Sequence, residues 1–159
     1  MNSLLFVYGT LMSRARHTMG VRLRREARLL GAATINGRLY SLHRYPGLVE
    51  GLDGRYAVRG EVYDLNAPAA SLKWLDAYEG ILSGRSEDSP YERVQRPVQL
   101  ASGEVLTAWV YLYRKSVRTR PQVLGGTWLP RQFSASVPGQ PAWLSPPAAS
   151  ESARKSAAT

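Results

Sequence analysis

Leu4-Leu5-Phe6-Val7-Tyr8-Gly9-Thr10-Leu11, near the amino terminus, is the stretch from which the fold is read. Four apolar residues and a tyrosine ahead of a glycine read as a buried strand ending in a sharp turn, because glycine takes backbone angles closed to other residues. Past such a turn the peptide N–H groups of Gly9, Thr10 and Leu11 are no longer spent on a sheet ladder and can bind an anionic or carbonyl oxygen. A plain strand end has the same local pattern. The turn therefore gains meaning only from what the rest of the chain brings to it.

With 159 residues, 44% apolar and 21% charged, the chain is long enough for one continuous core without disulfides or metals. No apolar run approaches the roughly 18 residues needed to cross a bilayer, so no membrane association is expected. The amino terminus has no charged leader followed by an apolar stretch and a cleavage site. Cysteine is absent, which excludes thiol nucleophiles, disulfides, thiolate zinc sites and iron–sulfur clusters, and agrees with a cytoplasmic location. The net charge of +9 is unevenly placed: residues 50–104 hold ten of the twelve acids against six bases. The basic excess lies in Arg14, Arg16, Arg22, Arg24, Arg25 and Arg28, and again in Arg114, Lys115, Arg118, Arg120 and Arg131. No helix-turn-helix and no basic–aromatic strand face accompanies it. It reads as a solvated surface making at most non-specific, salt-sensitive contact with nucleic acid.

Residues 12–24 show no sustained period; Ser13 can cap a short helical turn that Gly20 ends. Residues 25–42 read as sheet, either two strands meeting at Asn36-Gly37 or one long strand bulged at Gly31 and Gly37. Tyr45-Pro46-Gly47 reads as a turn. Val58 to Leu65 alternate as a strand covered on both faces. Tyr91, Arg93, Gln95 and Pro97 share one face of a further strand, and Val105 to Tyr113 form another, apolar or aromatic on both sides and therefore central. Between them lies Ile81 to Pro90, a polar loop with the composition of an active-site flap or of an ordinary surface loop.

Residues 66–80 form the one clear helix: Asn66 can cap it, Pro68 sits in its first turn and Gly80 stands where it ends. At helical spacing Leu72, Leu75 and Glu79 lie on one side, while Lys73, Trp74 and Asp76 point more to the flanks. Glu79 is thus a carboxylate on a core-facing side. Burial and the negative helix end both favour its protonated form, which is what a general acid–base needs. The alternative is that Glu79 rolls out to solvent and pairs with Arg85 or Arg93.

Phe6-Val7-Tyr8-Gly9-Thr10-Leu11, Tyr45-Pro46-Gly47-Leu48-Val49, Gly60-Glu61-Val62-Tyr63, Leu75-Asp76-Ala77-Tyr78-Glu79-Gly80, Tyr91-Glu92-Arg93 and Trp109-Val110-Tyr111 occur in the order typical of the gamma-glutamylcyclotransferase-like (AIG2-like) family. The chain resembles that family from about residue 3 to 115, and Gly125-Gly126-Thr127-Trp128 resembles the small-Gly-Asp-Trp segment of bacterial members, with Thr127 in place of Asp. The resemblance implies an α+β protein, a small mixed β-barrel flanked by short helices. Residues 1–133 read as that domain, and the Ser/Ala/Pro-rich composition of 134–159 reads as a flexible tail, dispensable after about residue 140. The resemblance further implies intramolecular cyclisation of a γ-glutamyl amine or amide to 5-oxoproline. Glu79 would be catalytic, and Tyr8, Gly9, Thr10, Leu11, Tyr91 and Arg93 would bind substrate. Neither metal nor cofactor is required, the partner is a small molecule, and a monomer or weak homodimer is expected. A non-catalytic ligand-binding member of the same fold and a basic interaction module are the competing readings. His17 and His43 receive no role.

Overall fold

The computed structural model describes residues 1–81 and 87–128. Six strands and two helices follow in the order β1 (Leu4–Val7), α1 (Thr18–Glu26), β2 (Ala27–Ser41), β3 (Pro46–Glu50), β4 (Ala57–Leu65), α2 (Pro68–Tyr78), β5 (Tyr91–Leu100) and β6 (Val105–Tyr113). The sheet runs β3-β2-β4-β1-β6-β5, and β5 returns to pair with β2 at Ala33↔Leu100 and Thr34↔Gln99. That return closes five strands into a barrel, with β3 lying outside the ring along the far end of β2. All pairings are antiparallel except β1 with β6, which makes the barrel mixed. Leu5, Phe6, Val58, Val62, Tyr63 and Val110 of β1, β4 and β6 are all buried, and since neighbours in a strand point to opposite sides, these strands are covered on both faces.

Of the two readings open for residues 25–42, the single long strand is found. β2 has a register shift between Leu29 and Gly31, so one residue is extra against β4 and the strand bends there. At Gly37 the strand changes partner, from β4 up to Asn36↔Ala57 to β3 from Gly37↔Glu50 onward. Asn36-Gly37 is therefore a handover between two partners and not a hairpin.

Three local expectations are corrected. Pro46 and Gly47 are the first residues of β3, paired with Ser41 and Tyr40, and the turn falls earlier, closed by the Leu42 N–H donating to the Tyr45 carbonyl at 3.0 Å. A proline tolerates the first position of a strand, where its missing N–H is not needed. Gly20 does not end a helix but lies inside α1. A methyl group there would meet the Leu11 carbonyl oxygen at 3.2 Å and that of Thr10 at 3.4 Å, so its small size lets the helix press onto the turn after β1. Ser13 instead starts a 3-10 turn, and α1 is capped by His17, whose Nδ1 accepts from the Met19 N–H at 3.2 Å. Asn66 does not cap α2; Ala67 stands at that position, with no side-chain bond.

Beyond β6 the chain has no further strand among the described residues, yet it belongs to the core. Ser41 N–H donates to the Pro121 carbonyl (2.9 Å), Val123 N–H to that of Leu39 (2.7 Å) and Arg59 N–H to that of Gly126 (2.8 Å), and Trp128 is 1% exposed. Residues 129–159, which include the whole expected tail, and Leu82 to Ser86 of the expected flap lie outside the described residues.

Gly60 is the tightest point of the barrel: a Cβ there would lie 2.1 Å from the Val7 carbonyl oxygen and 2.7 Å from the Phe6 ring. Gly60→Ala should therefore lower stability by about 3 kcal/mol, the upper range for overpacking, because strand backbone must move. Urea unfolding of the two proteins measures this, and a loss below about 0.5 kcal/mol would show that β1 and β4 can part at no cost.

Candidate functional site

The strand β1 stops at Val7 because the Gly9 carbonyl turns to accept from the Met12 N–H at 3.0 Å. None of the turn and loop backbone bonds among the described residues is donated by the N–H of Gly9, Thr10 or Leu11. The turn is held from its sides instead. The Tyr8 hydroxyl donates to the Tyr111 carbonyl of β6 at 2.6 Å, and the Thr10 hydroxyl shares a hydrogen bond with the Tyr78 hydroxyl at 2.5 Å. The Tyr78 ring in turn packs edge-on against His17, with ring centres 6.0 Å apart.

Helix α2 delivers Glu79. Its Leu72 and Leu75 are buried, as the spacing requires, and Glu79 is the residue after the last helical turn. There the Gly80 N–H donates to the Ala77 carbonyl at 3.2 Å and the Ile81 N–H to the Asp76 carbonyl at 2.8 Å. This pair of bonds closes a helix when the residue after the cap is left-handed, and Gly80, at φ 76°, fills that position without strain. The direction in which Glu79 leaves the helix is thereby set.

The two features meet in one cavity of about 210 Å³. Gly9, Thr10 and Leu11 line one part of it, Glu79 and Gly80 another, and Tyr8, Tyr45, Tyr78, Tyr91 and Tyr111 supply aromatic walls. The Tyr91 hydroxyl is committed to the Pro46 carbonyl at 2.7 Å. No Arg, Lys or Asp is among the described lining residues, so Glu79 is the one lining group there that changes charge near neutrality. Burial first, and the negative charge of Asp76 second, push its carboxyl up to about 8. The reading of Glu79 as a solvent-exposed partner of Arg93 does not hold: Arg93 pairs with Asp76, Nε to Oδ1 at 2.8 Å, and Arg85 lies outside the described residues.

The structure thus brings Tyr8, Gly9, Thr10, Leu11, Glu79 and Tyr91 to one cavity and leaves Arg93 out of its lining. Arg93 stacks over Trp109, 4.5 Å from the ring centre, in a neighbouring polar groove with Asp76 and Lys115. Residues that sequence reasoning passed over also matter here. Asp76 accepts from the Tyr111 hydroxyl at 2.7 Å as well as from Arg93, and Tyr78 and Pro46 line the wall, with His17 packed against Tyr78. A carboxylate three residues before Glu79 was visible in the sequence; that its partners stand on β5 and β6 was not. Among the described residues no three His, Asp or Glu side chains cluster in a way that would hold a metal ion, and no helix is long and apolar enough to cross a membrane.

A closed mixed barrel with its cavity between the β1 turn and the end of α2 is the gamma-glutamylcyclotransferase-like fold. Residues 5–130 match the family described as gamma-glutamyl cyclotransferase, AIG2-like, and the chain belongs to it. The gamma-glutamylcyclotransferase family protein YtfP of Escherichia coli K12 is 36% identical over 129 residues, covering 80% of this chain and 96% of that protein. The solution structure of E. coli YtfP superimposes with a TM-score of 0.55 at 35% identity, over 80% of this chain and 97% of that one. An AIG2-like protein of Mus musculus is 25% identical with a TM-score of 0.56, over 74% of this chain and 80% of its own. YkqA of Bacillus subtilis shares the fold, with a TM-score of 0.58 at 24% identity; this chain spans 40% of its length.

Because Glu79 titrates at about 8 in the folded protein against 4.5 as its ordinary value, the folded state holds this proton more tightly than the unfolded chain. Its contribution to stability is fully present below about 4.5 and is lost as pH rises through about 8. Glu79→Gln removes this dependence. The variant should gain on the wild type by up to about 1.4 kcal/mol per pH unit across that window and level off above it. Denaturant melts of both proteins at pH 5, 7 and 9 check this; a constant difference would show that Glu79 is not held protonated.

Proposed function

We propose that the protein is a cofactor-independent gamma-glutamylcyclotransferase that converts a γ-glutamyl amine or amide to 5-oxoproline and a free amine, with Glu79 as general acid and base. The observation that carries this reading is a lone proton-holding carboxyl in a cavity whose other described lining is uncharged, shared with the Gly9-Thr10-Leu11 turn. The nitrogen of the substrate's α-amine attacks its own γ-carbonyl carbon. A C–N bond forms and closes a five-membered ring, and the bond from that carbon to the leaving nitrogen breaks. Glu79 takes a proton from the attacking nitrogen and returns it to the leaving one, ending as it began. The N–H groups of Gly9, Thr10 and Leu11 receive the developing oxyanion or the substrate carboxylate, a task for which the lining offers no cation.

Nucleophile and electrophile belong to one molecule, so placing them correctly supplies much of the rate. A cavity of about 210 Å³, below the roughly 300–1,000 Å³ of drug-sized sites, suits a compact amino-acid derivative. Tyr8 and Tyr91 act as walls, and Arg93 acts at one remove, through Asp76. The family and the names of the curated relatives support the same reaction class.

The test is a screen of γ-glutamyl amines, γ-glutamyl amino acids and glutathione for 5-oxoproline release. With the substrate found, kcat/KM should rise with pH through a midpoint near 8 and level off above it, as the carboxylate form of Glu79 becomes the major one. Glu79→Gln should lower turnover at least about a hundredfold while binding survives. Turnover by Glu79→Gln at the wild-type rate would make the carboxyl structural. If no compound is turned over but one binds in a way that Glu79→Gln weakens, the protein is a ligand-binding member of the fold.

A further inference from the structure

We propose that Asp76 is a positioning residue for Glu79: a carboxylate one helical turn back, tied by Arg93 to β5 and by Tyr111 to β6, that sets both the placement and the charge state of the cavity carboxyl. The proposal rests on the acid–base role given to Glu79 above and adds the group that tunes it.

Asp76 is engaged on both oxygens. Oδ1 accepts from the Tyr111 hydroxyl at 2.7 Å and from Arg93 Nε at 2.8 Å, and Oδ2 accepts from Arg93 Nη2 at 3.2 Å. The guanidinium lies on the face of Trp109, whose Nε1 donates to the Asn2 carbonyl at 2.9 Å. Through these contacts one turn of α2 is fastened to two strands of the barrel, and the end of the helix that carries Glu79 cannot shift without breaking a two-pronged ion pair.

The same arrangement separates two carboxylates that stand three residues apart. Asp76 is surrounded by donors; Glu79 faces aromatic walls. The groups that confront Glu79 are Tyr8 from the turn after β1, Tyr45 from the turn before β3, Tyr78 and Asp76 from α2, Tyr91 from β5 and Tyr111 from β6, with Arg93 paired to Asp76 and His17 of the α1 cap against Tyr78. Burial pushes Tyr8, Tyr78, Tyr91 and Tyr111 upward, so they stay neutral where Glu79 titrates. Asp76 is then the charge that acts on Glu79, and it disfavours a second negative charge beside it. A carboxyl pushed upward by burial and by a neighbouring negative charge is a recurrent choice for proton transfer. Arg93 has the opposite sign and is paired with Asp76 outside the cavity lining, so it offsets part of that charge.

These signs give a test that a purely structural role does not pass. The full chain is labelled with glutamate carrying carbon-13 at its side-chain carboxyl, the Glu79 signal is assigned from its loss in Glu79→Gln, and the midpoint of its titration is read by NMR. Asp76→Asn should lower the midpoint by about one pH unit, tenfold in proton affinity, and should carry the rising limb of kcat/KM to lower pH by the same amount. Arg93→Gln leaves the Asp76 charge less compensated and should move the midpoint upward. Asp76→Glu restores the charge and should bring the midpoint back toward the wild-type value. An unchanged midpoint in both Asp76→Asn and Arg93→Gln, or a shift of both in the same direction, overturns the proposal. If Asp76→Asn does not fold, the upward shift in Arg93→Gln decides alone. Midpoints that move as stated in a protein that turns over no γ-glutamyl compound support the coupling and defeat the reaction assigned above, so the two failures are distinct.

Discussion

Phenol hydroxyls bonded to backbone carbonyls hold this protein's cavity open. A hollow beside a hydrophobic core is a place where side chains gain contacts by falling inward. Here the Tyr8 hydroxyl is anchored to the Tyr111 carbonyl on β6 and the Tyr91 hydroxyl to the Pro46 carbonyl on β3. Each ring spans the gap between two chain segments and is fixed at its far end, so the walls stand apart at the distance a tyrosine sets. The cost of leaving a buried hydroxyl unbonded, typically 1–3 kcal/mol, keeps those ends in place. The cavity then exists before any ligand arrives, which is what precise placement of a reacting group requires.

Within that frame the charge arrangement is economical. One carboxyl faces the cavity, a second is tied down outside the lining, and the cations of this strongly basic chain stay clear of it among the described residues. Arg22, Arg28 and Arg96 pair with Glu26, Asp64 and Glu50 on the surface. Exposed pairs of this kind contribute little to stability. What they do is keep positive charge away from the carboxyl whose proton matters, since a guanidinium in the cavity would pull that proton off.

The parts of this structure that were legible in the sequence are those governed by local pattern. The apolar run at Leu4 to Val7, the alternation in β4 and β6, and the inward face of α2 at Leu72, Leu75 and Glu79 all follow from strand or helix periodicity. Gly80 could be placed as a helix stop for the same reason. Errors fall where a distant segment decides. Gly20 looks like a helix end until the carbonyls of Thr10 and Leu11 are seen pressing on it, and Asn36-Gly37 looks like a hairpin until β2 is seen passing from β4 to β3. His17 carried no helical signature because serine, threonine, asparagine and aspartate are the usual caps. Arg93 was placed on the correct strand face, but whether it met the cavity or Asp76 depended on the seating of α2, which no local pattern encodes.

The parallel pairing of β1 with β6 bears on how the chain is made. The first strand sits between β4 and β6, pairing with residues around Val62 and with Trp109. On a ribosome it emerges ahead of the other strands and finds its last neighbour only after about a hundred further residues have been added. At roughly 5–20 residues per second that is a wait of about 5–20 seconds with an apolar strand unpaired on one edge. During that interval β2 and β4 can already zip together, since their ladder joins segments nearer in sequence. The half of the molecule that carries the turn is therefore born early and completed late, and the cavity appears only when the barrel shuts.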